Sequence, residues 1–437
     1  MTTYESASSA ASLGASGSPA ARPSGSTAVR PSGSTAVRPS GSTAVRPSDS
    51  TAVRPSDCTA ARPSDSTAVR PSDSTAVRPS DCTAARPSAH AGTSAGNGAG
   101  LARKLRIAVL SFWHVHAKDY AKQALDHPDT ELAAVWDADP ERGRREAEAR
   151  GVPYCAELDR LLADPSIDGV IVTEATSRHP ELLIAAARAG KHIFTEKVVT
   201  LAEADCHRVL QAVRDANVAM VVSLPRLNLP FVLGAQELAG SGLLGELTSA
   251  RARLAHSGAL PSEASPLGYL PQGFFSRSEA GGGAMIDLGC HPMYIVRLLL
   301  GMPKSVSAFF GRYTGKEVED NAIATLQYEN GAFGIVEAGF VNRSSPFTLE
   351  LHGTEGSAVY SAKDGKLMYK SAKLGGDQAK LWHEYALPPA LPSAFEQWVA
   401  HIRDGTRAER NLSIALDLTR LMEAAQRSAV TAQAVPL

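Results

Sequence analysis

Short apolar runs alternate with amphipathic stretches from residue 104 to residue 225, and this rhythm predicts strand–helix–strand units. RIAVLS (106–111) has the length and β-branched content of a buried strand, and a helix over about 116–127 stops before Pro128. ELAAVWDAD (131–139) is the next strand. PERGRREAEARG (140–151) has proline at its start and glycine at its end, as helices prefer. A short strand or loop and another helix follow in 152–167. The same alternation continues through strand 168–176, helix 179–191, strand 192–197, helix 201–217 and strand 218–225. Strands separated by helices of this length build a parallel sheet through right-handed crossovers, with ligands at the C-terminal strand ends.

After Pro225 the pattern changes. Segments 246–257, 304–314, 321–329, 332–342, 346–353 and 356–361 alternate as strands joined by turns, and helices are expected at about 283–300, 393–404 and 411–427. The fold class expected is α/β: a doubly wound parallel sheet over 102–224, then an α+β domain over 225–437 with a large, mostly antiparallel open sheet. Residues 1–101 fit neither pattern. An octapeptide close to Ser-Thr-Ala-Val-Arg-Pro-Ser-Gly/Asp repeats with Arg22, Arg30 and on to Arg86 in strict register. It offers only Ala and Val to bury and a proline every turn of the repeat, so a disordered tail is expected.

Charge and cysteine content narrow the function classes. Residues 1–100 carry +3 and the remainder −4, so neither part has the basic field of a nucleic-acid binder. Cys58, Cys82, Cys155, Cys206 and Cys290 are too few and too scattered for a disulfide framework or a zinc ribbon. No signal-peptide pattern or long uncharged apolar run is evident, so the expectation is a cytoplasmic protein engaging neither membrane nor nucleic acid.

Candidate chemistry sits at the strand ends. The first turn reads Ser111-Phe112-Trp113-His114-Val115-His116, with none of the glycines that bring backbone close to a pyrophosphate. A helix N-terminus can still bind phosphate there. Asp137 ends the second strand 26 residues after Ser111, a spacing suited to an acid on an adenosine ribose. Its alternative role is to cap the helix beginning at Pro140. His114 and His116 form an HxH that could ligate metal. The later strand ends supply Asp137, Glu174 and Glu196 rather than more histidines, which favours cofactor-loop or packing roles over a metal. TEATSRH (173–179) and FTEKVV (194–199) each follow a buried strand, and Lys197 would place an ammonium at the mouth of the sheet. In GGGAMIDLGCHPMYIVRLLLG (281–301), Asp287 and His291 lie four apart on one helix face, so the carboxylate could orient the imidazole for acid–base work. Cys290 reads as a small buried apolar residue.

These features together resemble the glucose–fructose oxidoreductase/inositol dehydrogenase/rhizopine catabolism (Gfo/Idh/MocA) family: Asp137 after strand two, AARAGKHIFTEK, the GGGAMIDLGCHP block and the strand-rich second half. The resemblance implies a Rossmann-type NAD domain (NADP possible), a substrate domain that also mediates dimer or tetramer formation, and hydride transfer between nicotinamide and a secondary alcohol of a sugar, inositol or related polyol. It implies Lys197, Asp287 and His291 as the catalytic set. Cofactor contacts are expected from Ser111, Phe112, Trp113, His114, Asp137, Thr173, Glu174, His179, Glu196, Lys197 and Arg226, with no metal. NAD is expected over NADP because of Asp137, although Arg142 and Arg144 lie on the next helix. His291 is expected to titrate near neutrality, and Lys197 to have a lowered pKa beside the positively charged oxidised nicotinamide ring. The sequence departs from the family in SFWHVH for the glycine motif, Val198 for the proline after Glu-Lys, Glu174-Ala175 for Thr-Pro, and Tyr294 for an aspartate three residues after the histidine. Two other readings are a non-catalytic dinucleotide-binding sensor and a metal-dependent hydrolase using His114 and His116.

Overall fold

A computed structural model of the chain describes residues 103–437, so the expectation for the repeat-rich tail lies outside the described residues. The first layer runs β1 (Leu105–Leu110), α1 (Ala117–Asp126), β2 (Thr130–Trp136), α2 (Pro140–Glu148), α3 (Leu158–Ala163), β3 (Gly169–Val172), α4 (His179–Arg188), β4 (His192–Thr195), α5 (Glu203–Asp215) and β5 (Met220–Val222). The strands pair in parallel in the order β2-β1-β3-β4-β5. They are short and almost wholly apolar because helices cover both faces. Asp139 caps α2 through the amides of Glu141 and Arg142, and Pro140 occupies its first turn.

The second layer contains α6 (Pro230–Gly240), β6 (Leu247–Ala255), α7 (Arg277–Ala280), α8 (Cys290–Leu300), β7 (Ser305–Gly311), β8 (Asn321–Gln327), β9 (Phe333–Gly339), β10 (Thr348–Gly353), β11 (Gly356–Ser361), β12 (Lys366–Ser371), β13 (His383–Tyr385), α9 (Ala394–Asp404), α10 (Glu409–Thr431) and β14 (Val435–Pro436). Nine strands form one sheet in the order β13-β12-β11-β10-β6-β9-β8-β7-β14, antiparallel except where β6 meets β9. The strands expected from sequence are present; α6 and the short strands β12, β13 and β14 are additional.

The GGG-led helix is less regular than expected. Met285–Gly289 is a π-helical turn that leads into α8. The helical run Arg277–Leu300 is long and apolar enough to cross a membrane by length and composition alone, but 67% of its most apolar stretch is buried inside the protein. Its apolarity is that of a core helix packed on the large sheet.

Helices from the end of the chain return to the first layer. Phe395 and Trp398 of α9 pack against Phe194 of β4, with ring centroids 5.6 and 5.8 Å away. A Cβ at Gly169 would lie 2.9 Å from the Trp398 ring, so glycine in β3 makes room for the indole. α10 lies against both β5 and β7 and so links the two sheets. Because Trp398 is fully buried, Trp398→Ala should destabilise the protein by about 3–5 kcal/mol. Chemical denaturation monitored by circular dichroism measures this, and a loss below about 1 kcal/mol would show that α9 is not integral to the first layer.

Candidate active site

The turn after β1 keeps a glycine-like backbone without glycine. Ser111 has φ 80°, a left-handed conformation that costs a non-glycine residue roughly 1–3 kcal/mol. The turn is tied down on several sides. Ser111 N donates to Trp136 O (2.7 Å), Phe112 N to Asp137 Oδ2 (2.7 Å), Trp113 N to Ser111 Oγ (3.0 Å) and His114 N to Thr173 O (3.0 Å). Thr173 Oγ1 returns a bond to Ser111 O (2.6 Å), so Thr173 braces the turn. Phe112 lies beneath the Arg150 guanidinium at 4.4 Å. Trp113 stacks on Phe274 (4.9 Å, 6°) and donates Nε1 to Glu279, both from the segment preceding the GGG block.

Asp137 is where the spacing predicts, at the C-terminal end of the β2 segment, but it already has partners. Arg142 grips it with Nε to Oδ2 (2.8 Å) and Nη2 to Oδ1 (2.6 Å), while Phe112 N and Asp139 N fill the remaining acceptor positions. Arg142, one of the two arginines on the next helix, therefore does reach Asp137, and the group presented there is a carboxylate–guanidinium pair. Burial acts to lower the Arg142 pKa, but Asp137 outweighs it and raises it.

At the mouth of β4, Glu196 and Lys197 face different neighbours. Glu196 accepts from Tyr120 Oη and bonds His116 Nδ1 (2.9 Å), with His114 Nδ1 3.6 Å away. Burial opposes its ionisation, yet the two histidines and Lys197 hold its pKa well below the ordinary glutamate value. Burial pushes His114 down to about 4, whereas for His116 burial is outweighed by Glu196 and the pKa rises. The following peptide, Lys197–Val198, is cis. Lys197 Nζ crosses to the second layer and donates to Asp287 Oδ1 (2.8 Å) and Asp287 O (2.7 Å).

Three expectations are corrected here. Asp287 does not orient His291; it neutralises the buried Lys197 ammonium, whose nearest alternative, Glu196, is committed to His116 and Tyr120. His291 Nδ1 instead meets Tyr294 Oη at 3.1 Å, and that hydroxyl accepts from Arg226 N (3.1 Å). The protein surroundings do not lower the Lys197 pKa: burial pulls it down, but Asp287, Cys290 and Glu196 together raise it. His291 does not titrate near neutrality, because burial and the charges of Lys197 and Arg226 hold it well below 6.5.

His179 is fully buried, with Nδ1 near the carbonyls of Val198 and Val199 and Nε2 on Glu174 O. It anchors the Lys197 loop and does not face the cleft. Arg226 lies over the Phe347 ring (4.8 Å) on the second layer. Cys290 is buried, with its thiol pushed up to about 12 by burial, as a packing residue should be. Sequence reasoning missed Tyr120, whose helical position hides its bonds to Glu196 and Ser223. It also missed Glu319, which accepts from Gly283 N (2.9 Å) and Met285 N (3.1 Å) and holds the π-turn; a Cβ at Gly283 would fall 1.9 Å from Glu319 O.

The donor set suits a dinucleotide. The Glu174 Oε2 atom, buried at the end of β3, has no partner among the described residues, and Arg142 feels its charge. An acceptor of this kind fits a ribose hydroxyl. A parallel sheet with acids and a lysine at its C-terminal edge, faced by a histidine from the helix on an antiparallel sheet, defines a two-domain oxidoreductase fold.

The particular family follows from comparison with known proteins. Residues 108–224 match the family model described as an oxidoreductase family with an NAD-binding Rossmann fold, and residues 232–359 match the GFO/IDH/MocA C-terminal domain. The chain belongs to the Gfo/Idh/MocA family. It is 30% identical to the scyllo-inositol 2-dehydrogenase (NAD(+)) of Bacillus subtilis (strain 168), over 59% of this chain and 74% of that protein. It is 27% identical to the 1,5-anhydro-D-fructose reductase of Ensifer adhaerens, over 56% of this chain and 72% of that protein. Among solved structures, a levoglucosan dehydrogenase in complex with NADH and levoglucosan shares the fold, with TM-score 0.64 and 24% identity over 76% of this chain and 99% of that one.

Because Lys197 is almost fully buried, removing its counter-ion by Asp287→Ala should cost about 3–5 kcal/mol of stability. The folded pKa of Asp287 is lowered, through Lys197 against the effect of burial, so its contribution is present above the ordinary value of 3.8 and is lost as pH falls through the lower folded value. Denaturation of wild type and variant should thus show the same gap at pH 5 and pH 8; a gap that collapses by pH 5 would contradict the pairing.

Proposed function

We propose that this chain is an NAD(P)-dependent oxidoreductase that moves hydride between nicotinamide and a secondary alcohol carbon of a sugar, inositol or related polyol. The observation that carries the reading is the buried Lys197 ammonium, with two of its three N–H bonds placed on Asp287, close enough to His291 to depress that imidazole's basicity. Supporting it are the family membership and the sugar and polyol chemistry in the relatives' names. The dinucleotide, when bound, supplies the hydride acceptor or donor. Asp137 with Arg142 would hold the adenosine ribose, and Glu174 a second hydroxyl-bearing part.

The chain's own residues do the rest. Lys197 directs its third N–H at the reacting oxygen and stabilises negative charge there. His291, kept neutral and turned by Tyr294, moves the hydroxyl proton at Nε2. Asp287 fixes the Lys197 ammonium between the layers and is a positioning residue. Cytoplasmic operation as a homo-oligomer is part of the reading; the exposed Phe309 and Phe333 on the open sheet suit contact with a second copy.

His291→Ala and Lys197→Met should each lower kcat by about 10²–10⁴ while NADH affinity, read by tryptophan quenching, stays within a few-fold. Screening polyols, inositols and aldoses with NAD supplies the substrate. As the His291 pKa is lowered, its base form persists down through 6.5, so oxidation should not fall between pH 8 and pH 6.5 on its account. A His291→Ala enzyme keeping more than about a tenth of wild-type kcat, with hydride transfer rate-limiting, would make His291 structural.

Arg142 should set the cofactor preference. A charge-assisted hydrogen bond contributes roughly 1.5–3 kcal/mol, so Asp137→Ala, which removes the acceptor that holds Arg142 and the Phe112 amide, should weaken NAD binding by about ten- to a hundredfold. Arg142→Ala should weaken NADP(H) more than NAD(H), since its guanidinium is the cation on the ribose acid. Titrating both cofactors decides this, and an unchanged ratio would remove Arg142 from the adenosine site.

A further inference from the structure

We propose that His114, His116 and Glu196 form a binding site for a first-row divalent transition ion of the Zn²⁺ class, built into the turn between β1 and α1. Among the described residues this is the trio of metal-binding side chains whose donor atoms all lie within 4.8 Å of one another. Two imidazoles and one carboxylate suit zinc, cobalt or nickel and not the oxygen-seeking magnesium or calcium.

The distances fit such an ion. Donors bound at about 2.0–2.2 Å in a tetrahedral site lie roughly 3.3 Å apart. His116 Nδ1 and His114 Nδ1 stand 2.9 and 3.6 Å from Glu196 Oε1, on either side of that value. Small ring rotations would place both at ligand distance, with His114 Nδ1 exchanging its bond from His116 N (3.2 Å) for the metal.

The scaffold around the trio is already built. Glu196 is 1% exposed; Tyr120 Oη bonds its Oε1 and Lys197 N donates to its Oε2 (3.1 Å), which holds the carboxylate in one orientation. The His114 backbone is pinned to Thr173, and its ring packs 5.3 Å from Phe274. The His114 and His116 rings lie 4.7 Å apart. His116 remains about one-third exposed, which leaves an entry path. None of the three ligands belongs to the Lys197–Asp287–His291 set; His114 and Glu196 are shared with the expected cofactor contacts, so metal binding is read without cofactor or turnover.

The test uses the metal alone on the full chain. Chelator-treated protein is titrated with Co²⁺, whose visible bands report nitrogen and oxygen coordination, and Zn²⁺ uptake is measured by elemental analysis after desalting. One ion per chain is expected. His114→Ala, His116→Ala and Glu196→Gln should each weaken binding at least about ten- to a hundredfold, while His207→Ala on the exposed face of α5 should bind as wild type does. Because Glu196 is buried, His116→Ala is the decisive variant: Zn²⁺ should raise the melting temperature of wild type and not of this variant. Absence of stoichiometric uptake by wild type, or uptake and thermal shift unchanged in His116→Ala, would overturn the site.

Discussion

The Lys197–Asp287 pair is the constraint around which the cleft is arranged. An ammonium as buried as this one is tolerated only beside a counter-charge, and leaving it alone would cost several kcal/mol. Its partner comes from the other layer, on the π-turn that Glu319 holds through the amides of Gly283 and Met285. The pair therefore does more than neutralise a charge. It docks the C-terminal edge of the parallel sheet onto the helix that crosses the open sheet. It also forces a division of labour at the strand end: Lys197 faces Asp287, while Glu196 faces His116, Tyr120 and, through the tyrosine, Ser223.

The same economy of partners explains the glycine-free turn. Glycines would let a pyrophosphate approach bare backbone. Here bulky side chains are accommodated by borrowing contacts from elsewhere: Trp113 from Phe274 and Glu279, Phe112 from Arg150, and His116 from Glu196. Ser111 keeps the left-handed backbone that the turn requires. The result is a β1–α1 turn clamped to the second layer through the Trp113 stack.

Much of this fold is legible in the sequence because the parallel strands are short apolar runs bounded by polar turns, and their helices carry proline and glycine at the ends. The misses have physical causes. α6 begins at Pro230 and contains Gly234, which lies against Leu387, so its helix comes from packing rather than propensity. β12 and the short edge strand β13 carry lysine, serine and histidine that look like loop. At the site, spacing places Asp287 and His291 together but cannot say which charge lies across the cleft; the buried ammonium decides. Asp137 is legible by position, but its guanidinium partner lies five residues on, and only the folded α2 start brings it back. His179 follows a strand as a ligand might, yet its ring is buried among the carbonyls of Glu174, Val198 and Val199.

Replacing an aspartate by Tyr294 changes the balance of the proposed chemistry. A carboxylate behind His291 would stabilise the imidazolium and raise its basicity. A phenol that already accepts from Arg226 N gives no such charge, and Lys197 and Arg226 push the other way. Each pKa unit lost by the base makes taking a proton from the alcohol about 1.4 kcal/mol harder. Lys197, which adds to this cost beside burial and Arg226, is also the cation aimed at the reacting oxygen, where it stabilises the alkoxide that proton loss creates. In the proposed site these two effects of the ammonium oppose each other in the proton transfer. Acid–base work therefore shifts from imidazole basicity to electrostatic stabilisation of the oxygen, and the geometry that matters most is the position of Lys197, which Asp287 holds.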